Sequence, residues 1–224
     1  MPAPDFVWWA GLAKKLNLLS VATSFVPLAV GAYRWSQLRP GTYPLVWVAL
    51  VPGCLLGVLS EIGRHVFHNN IVYQHLIPLA ETLLLGWAYW YALTGPRNRR
   101  FLVASLTVFV LVFVGESVYW GGFWQGENPC SHAVQTIVLL SFALLYFEQL
   151  LRELRTIQLE HDPMFLVSVG VMLYYAGTIV VFLLEVGMQQ QQQIDQIWTM
   201  FIIQAVLLMV FNAFLTLALW NTRR

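Results

Sequence analysis

Apolar runs of about 20 residues alternate with short polar intervals along all 224 residues. Each run is long enough for a helix to cross a hydrocarbon layer of roughly 30 Å. The pattern predicts seven spans, at about 16–36, 43–67, 70–93, 100–120, 130–152, 164–187 and 194–220. Their edges carry ordinary helix punctuation. Gly95-Pro96 breaks one run, while Asn128-Pro129 and Asp162-Pro163 place a capping side chain just ahead of a proline that tolerates the first helical turn. The second and third runs are joined by a very tight turn, His68-Asn69-Asn70. The first 15 residues, with Trp8, Trp9, Lys14 and Lys15, suit a short interfacial helix. The expected fold is an all-α membrane protein, a seven-transmembrane-helix bundle in a single domain over 1–224.

Composition agrees with the pattern. Of all residues 58% are hydrophobic and 10% charged, against roughly 25% charged in a soluble domain. The bilayer is therefore the main partner. No interval between runs is long enough for a soluble domain, and no basic face exists to bind nucleic acid. Seven spans put the two ends on opposite sides, so basic residues can be assigned for each orientation. With the N-terminus outside, the inner side holds Arg34, Arg39, Arg97, Arg99, Arg100, Arg152, Arg155, Arg223 and Arg224, and the outer side only Lys14, Lys15 and Arg64. The excess of inward charge sets N-terminus outside and C-terminus inside, with Lys14 and Lys15 as the local exception. Trp35, Trp90 and Trp220 then fall at the inner face and Trp8, Trp9, Trp120, Trp124 and Trp198 at the outer. Cys54 and Cys130 fall far apart in sequence and show no disulfide framework or metal pattern, so each reads as a buried structural thiol. A cleaved signal peptide is not expected, because no charged segment precedes an apolar core. No internal repeat of the kind that builds many transporters is evident.

Against this background the stretch Glu61 to Glu81, EIGRHVFHNNIVYQHLIPLAE, is unusually polar. Ionisable groups at membrane depth are expensive and are kept for a partner, a wet cavity or a task. In the predicted orientation Glu61, Arg64 and His65 of span two, His75 and Glu81 of span three, Glu116 of span four, His132 of span five and Glu185 of span six share the outer leaflet. Together with Asn70 they form the predicted ligand-binding pocket. Glu61, His65 and His68 lie on one helical face, and Arg64 is placed to pair with Glu61. Gln74, Pro78 and Glu81 share another face, where Pro78 cannot donate to the carbonyl of Gln74. His132, Gln135 and Thr136 share a face of span five, and Tyr174, Thr178 and Glu185 one of span six. Gln196, Gln204 and Asn212 recur every eight residues, a slanting line that drifts by about 80° per step. Glu148 and Arg152 form an i,i+4 pair nearer the inner side.

The alternative for each polar group is interhelical glue, worth roughly 0.6–2 kcal/mol per hydrogen bond, which fits Gln135, Gln204 and Asn212 best. A metal ion is a second alternative. The histidines and carboxylates supply enough N and O ligands, with His75, His132 and Glu81 as the set, yet in no paired ligand motif. Seven-span hydrolases of the adiponectin-receptor and ceramidase type place histidines in the last span, and this chain has none there. A retinal protein of the microbial rhodopsin type needs a lysine in span seven. No lysine follows Lys15, so no retinal is expected.

The segments NNIVYQHLIPLAE, DPMFLVSVGVMLYYAGTIVVFLLE and IWTMFIIQAVLLMVFNAFLTLALW resemble small uncharacterised seven-span proteins of Bacteroidetes-type bacteria. The resemblance covers about a third of the chain and falls on Asn70, Tyr73, Glu81, Tyr174, Gly177, Asn212 and Trp220. It implies the seven-span fold and a bacterial cytoplasmic membrane, and no activity. The functional expectation is binding or sensing of a small ligand or ion in the outer pocket rather than catalysis. Only Asn221 to Arg224 follow the last span, so the signal would pass to a membrane partner or a second copy of the chain. A small transporter or proton-coupled carrier, and a metal-dependent intramembrane enzyme, are the competing classes.

Overall fold

A computed structural model describes residues 4–37, 48–67, 70–119, 129–153, 162–190 and 194–221. Among them every regular element is helical. Helix α1 (Pro4–Thr23) runs unbroken through the predicted interfacial segment into the first span, and the break falls at Ser24, ahead of α2 (Phe25–Tyr33). Ser20 and Thr23 donate to carbonyls one turn back, at 2.7 and 2.6 Å. Such back-bonding competes with the helical ladder and favours a bend at this point.

The next helical segment, α3, is built of three pieces, Ala49–Leu56, Gly57–Ile62 and Gly63–Phe67. The outer two have the wide i→i+5 hydrogen bonding of a π-helix, and Pro52, Gly53, Gly57 and Gly63 supply the irregularity. Helix α4 (Ile71–Ala92) begins just after Asn70 and carries Pro78 in its interior. It ends before Gly95, whose φ of +88° suits glycine in the turn ahead of α5 (Pro96–Tyr119). Helices α6 (Pro129–Arg152), α7 (Pro163–Gln190) and α8 (Ile194–Trp220) complete the chain. Both predicted proline starts are observed. At α7, Asp162 Oδ1 accepts from the backbone of Met164 at 2.9 Å and Phe165 at 3.3 Å. The glutamine run from Gln189 to Gln193 reads from the sequence as a short low-complexity loop, but its first two residues, Gln189 and Gln190, are helical. The aromatic interval 120–128, including Trp120 and Trp124, lies outside the described residues, as do His68 and Asn69.

Among the described residues four segments are long and apolar enough to cross a membrane: Gly11–Tyr33, Pro96–Tyr119, Pro129–Arg152 and Trp198–Trp220. Val51–Ile62 and Pro163–Ile179 are shorter apolar helices. This is the make-up of a multi-pass membrane protein. Helix α5 shows the division clearly. Leu102, Phe109, Phe113 and Glu116 make its buried stripe, while Val103, Val108, Leu111, Val114 and Val118 are exposed.

The helices close on themselves. α8 packs against α7, and on its other side against both α1 and α2, so the first and last helices are neighbours. α7 packs on α6, α6 on α4 and α5, and α4 on α3, which meets α2. The core around Leu85, Tyr89, Phe142, Val167, Val171 and Leu215 ties α4, α6, α7 and α8 together. Tyr89 and Ser168 exchange a hydrogen bond at 3.0 Å inside it. At the end where α2, α4 and α8 finish, Arg34 lies over Trp220 at 5.3 Å and Arg99 over Trp90 at 5.1 Å. Both are cation–π contacts.

Candidate functional site

Two adjoining spaces lie among the described helices. A vestibule of about 500 Å³ is walled by α1, α3, α4, α7 and α8, with Lys14, Asn17, Glu61, Arg64, Asn70 and Gln204 as its principal polar side chains. Beneath it lies a cavity of about 120 Å³. Val21, Gly57, Ile77, Tyr174 and Leu208 line both. They form the neck between the two.

The floor of the inner cavity is Glu81, with Asn212, Phe211, Ser24 and Gly53 around it. Glu81 is held from behind. Tyr175 Oη donates to its Oε2 at 2.9 Å, and Gln135 Nε2 lies 3.3 Å from the same oxygen. The orientation of the Gln135 amide is fixed by a third contact, 3.4 Å to the carbonyl of Pro78, which can only accept. That amide also donates to Tyr175 Oη at 3.2 Å. Helices α4, α6 and α7 thus meet at one carboxylate, next to the proline. The carbonyl of Pro78 takes a further bond from Thr82 Oγ1 at 2.7 Å.

A second polar knot closes the cavity opposite Glu81. Asn212 Nδ2 of α8 donates to Thr23 Oγ1 and Ser24 Oγ, both at 3.0 Å, and lies 3.4 Å from the carbonyl of Ser20. Cys54 Sγ reaches the carbonyl of Ser24 at 3.3 Å. The break between α1 and α2 is therefore where α3 and α8 are fastened to the first span. Gly53 permits the α3 contact, since a Cβ there would collide with Ser24.

The structure divides the predicted pocket residues among separate places. Glu61, Arg64 and Asn70 stand on the vestibule wall, where Arg64 Nη2 meets Glu61 Oε2 at 2.7 Å, the predicted pair. Glu81 stands on the inner floor. Glu116 lines neither space. Its Oε1 accepts from Cys130 N at 3.0 Å, and its Oε2 from Ser131 N at 2.7 Å and Ser131 Oγ at 2.5 Å. It is an N-terminal cap for α6, supplied by another helix. Unpaired N–H groups and the positive end of the helix dipole give a carboxylate a strong local reason to be there. His132 is within Coulombic reach of Glu116 and His75. His75 is buried and belongs, like His132, to neither cavity lining. The side chains of His65 and Glu185 are outside the described residues.

Among the described residues no three His, Cys, Asp or Glu side chains gather at metal-binding separation. The set His75, His132 and Glu81 is not assembled: His132 lies within Coulombic reach of Glu116 and His75, whereas Glu81 lines the cavity. The pattern of the sequence missed Tyr175, Gln135 and Asn212 as site-forming residues. Tyr174 was placed on an interior face, but its neighbour Tyr175 makes the bond to Glu81. The adjacency of α4 to both α6 and α7 was the missing signal.

No protein-family model, curated protein or solved structure matches the chain.

Proposed function

We propose that the chain is a seven-span protein of a bacterial cytoplasmic membrane, N-terminus outside, that binds a small ligand in the vestibule and inner cavity and passes its bound state to a membrane partner. The observation that carries the ligand reading is the Glu81 carboxylate. Both of its described hydrogen bonds converge on Oε2, from the side of α6 and α7, and Glu81 also lines a cavity reached through the vestibule. Pure glue would use the carboxylate between helices and leave no space in front of it. The continuous space between five helices is the kind of concave site in which small molecules are held between helices of a bundle.

The seven-span reading takes α1 with α2 as the first crossing and α3, α4 and α7 as crossings beside the four longest apolar segments. α4 has the length of a span and is made less apolar by Gln74, His75 and Glu81. The inward excess of arginine, together with the Arg34–Trp220 and Arg99–Trp90 contacts at one end, supports the orientation. The bacterial membrane rests on the family resemblance.

The test is thermal unfolding of purified protein in nanodiscs against a panel of small molecules, beside the blocked variant Ile77→Phe, which fills the neck. A true ligand at a hundred times its Kd adds about 2.7 kcal/mol to native stability, and Ile77→Phe abolishes that gain. A panel in which no molecule separates the two proteins returns the polar groups to the role of glue. Labelling of single cysteines placed at the two ends of the bundle tests the orientation.

A further inference from the structure

We propose that the ligand of this pocket is a small monoamine, bound with its ammonium group against Glu81. The proposal rests on the ligand-binding reading above and adds the chemistry of the ligand. Glu81 is the sole charged side chain among the described residues that line the inner cavity. Its Oε2 is held from behind by Tyr175 and Gln135, so Oε1 is the oxygen offered to an occupant.

The opposite wall presents an acceptor as well. Thr23 Oγ1 spends its own hydrogen on the Ser20 carbonyl at 2.6 Å, so it meets Asn212 as an acceptor, and the Ser20 carbonyl can be nothing else. Both contacts require the NH₂ of Asn212 to point at α1 and α2. The Oδ1 of Asn212 is left for the cavity that this residue lines. Tyr174 and Phe211, also on the lining, stack with ring centres 5.5 Å apart and planes 19° apart. One carboxylate oxygen, one amide oxygen and aromatic rings match an ammonium group, which brings only donors and is attracted to ring faces. An anion would meet no cationic side chain on this floor.

The surroundings narrow the class further. The 120 Å³ cavity has room for a head of a few heavy atoms, and the 500 Å³ vestibule, with Trp198, Phe201 and Leu208 on its walls, takes an apolar body. At that outer level Arg64 is paired with Glu61, and the charge of Lys14 is left in excess on the described lining. A second positive charge on the ligand would meet that net positive charge and be repelled, which selects a monoamine over a polyamine.

Butylammonium, butan-1-ol, butanoate and potassium ion are the probes, each titrated into the full chain in nanodiscs and followed by thermal unfolding and calorimetry. Butylammonium is expected to stabilise the wild type, and Glu81→Gln to weaken its binding about tenfold or more, as loss of a charge-assisted contact should. Glutamine keeps an oxygen for Tyr175 and so keeps the fold, checked by circular dichroism. Labelling of wild-type Glu81 by a hydrophobic carbodiimide, slowed by butylammonium, gives the same answer without a variant. Equal binding of butan-1-ol or butanoate, or unchanged butylammonium binding in Glu81→Gln, overturns the amine assignment while a difference between wild type and Ile77→Phe leaves the pocket standing. A potassium effect equal to that of butylammonium overturns it in favour of a bare ion. If none of the four probes affects the wild type and carbodiimide labelling is unprotected, the amine assignment is overturned. If, besides, no molecule of the wider panel separates wild type from Ile77→Phe, the ligand-binding reading falls with it.

Discussion

Two carboxylates on neighbouring helices, Glu81 and Glu116, look alike in the sequence and do opposite things in the bundle. Glu116 has both oxygens committed to the first turn of α6, through Cys130 and Ser131. Glu81 takes both its described bonds on one oxygen and fronts a cavity. A buried acid is therefore read by which of its oxygens are already engaged, not by its depth in the membrane. Where both are engaged the charge belongs to the fold. Where one is open, with space before it, the carboxylate is the group on which the proposed ligand reading rests.

The sharpest way to break this contrast is Glu116→Ala. It removes three hydrogen bonds to a charged acceptor and strands the buried N–H of Ser131, so a loss of about 3 kcal/mol is expected by thermal or denaturant unfolding. Ligand binding should be untouched in protein that remains folded. Gly53→Ala comes next. Its new Cβ would meet the Cβ of Ser24 and stand 2.8 Å from the Oγ, so the α1–α2 bend and α3 must part, at a cost of about 2 kcal/mol. Because Gly53 and Ser24 both line the inner cavity, that variant should also alter binding, a double effect that Glu116→Ala lacks. Glu81→Gln is expected to change stability by less than about 1 kcal/mol, the range of one interhelical hydrogen bond, whatever it does to ligand affinity. A loss as large as that of Glu116→Ala would erase the distinction between the two acids. Arg64→Ala has the smallest expected effect, below about 0.5 kcal/mol in unfolding experiments, because its partner Glu61 is paired at the rim with the arginine side chain 49% exposed.

Local rules carried the sequence reading as far as they reach. Gly95-Pro96 breaks a helix, Asp162 caps α7 from one residue away, and the Glu61–Arg64 and Glu148–Arg152 pairs, at 2.7 and 2.6 Å, form at the spacings that predicted them. The limits lie where partners come from distant parts of the chain. Nothing local to Pro129 names Glu116 as the cap of α6, and the 54 residues between Glu81 and Gln135 and the 94 between Glu81 and Tyr175 hide the knot that holds the cavity floor. Polar residues could be assigned to an interior by helical spacing, but a single chain does not state which interiors face one another. The same gap led the histidines to be grouped with Glu81, when neither lines the cavity that Glu81 faces and His132 lies within reach of Glu116. The mixed π and α character of α3 was equally out of reach, although its glycines and Pro52 were in plain view.

The contact of α8 with α1 and α2 has a consequence for biogenesis. Ser20 and Ser24 are almost wholly buried, and Asn212, the residue that binds them through its amide, is made 188 residues after Ser24. During synthesis α1 and α2 must therefore wait with these groups uncovered by α8. Neither the vestibule nor the inner cavity has its α8 wall until that helix is made. A chain stalled before α8 would hold its other helices with both spaces open on that side.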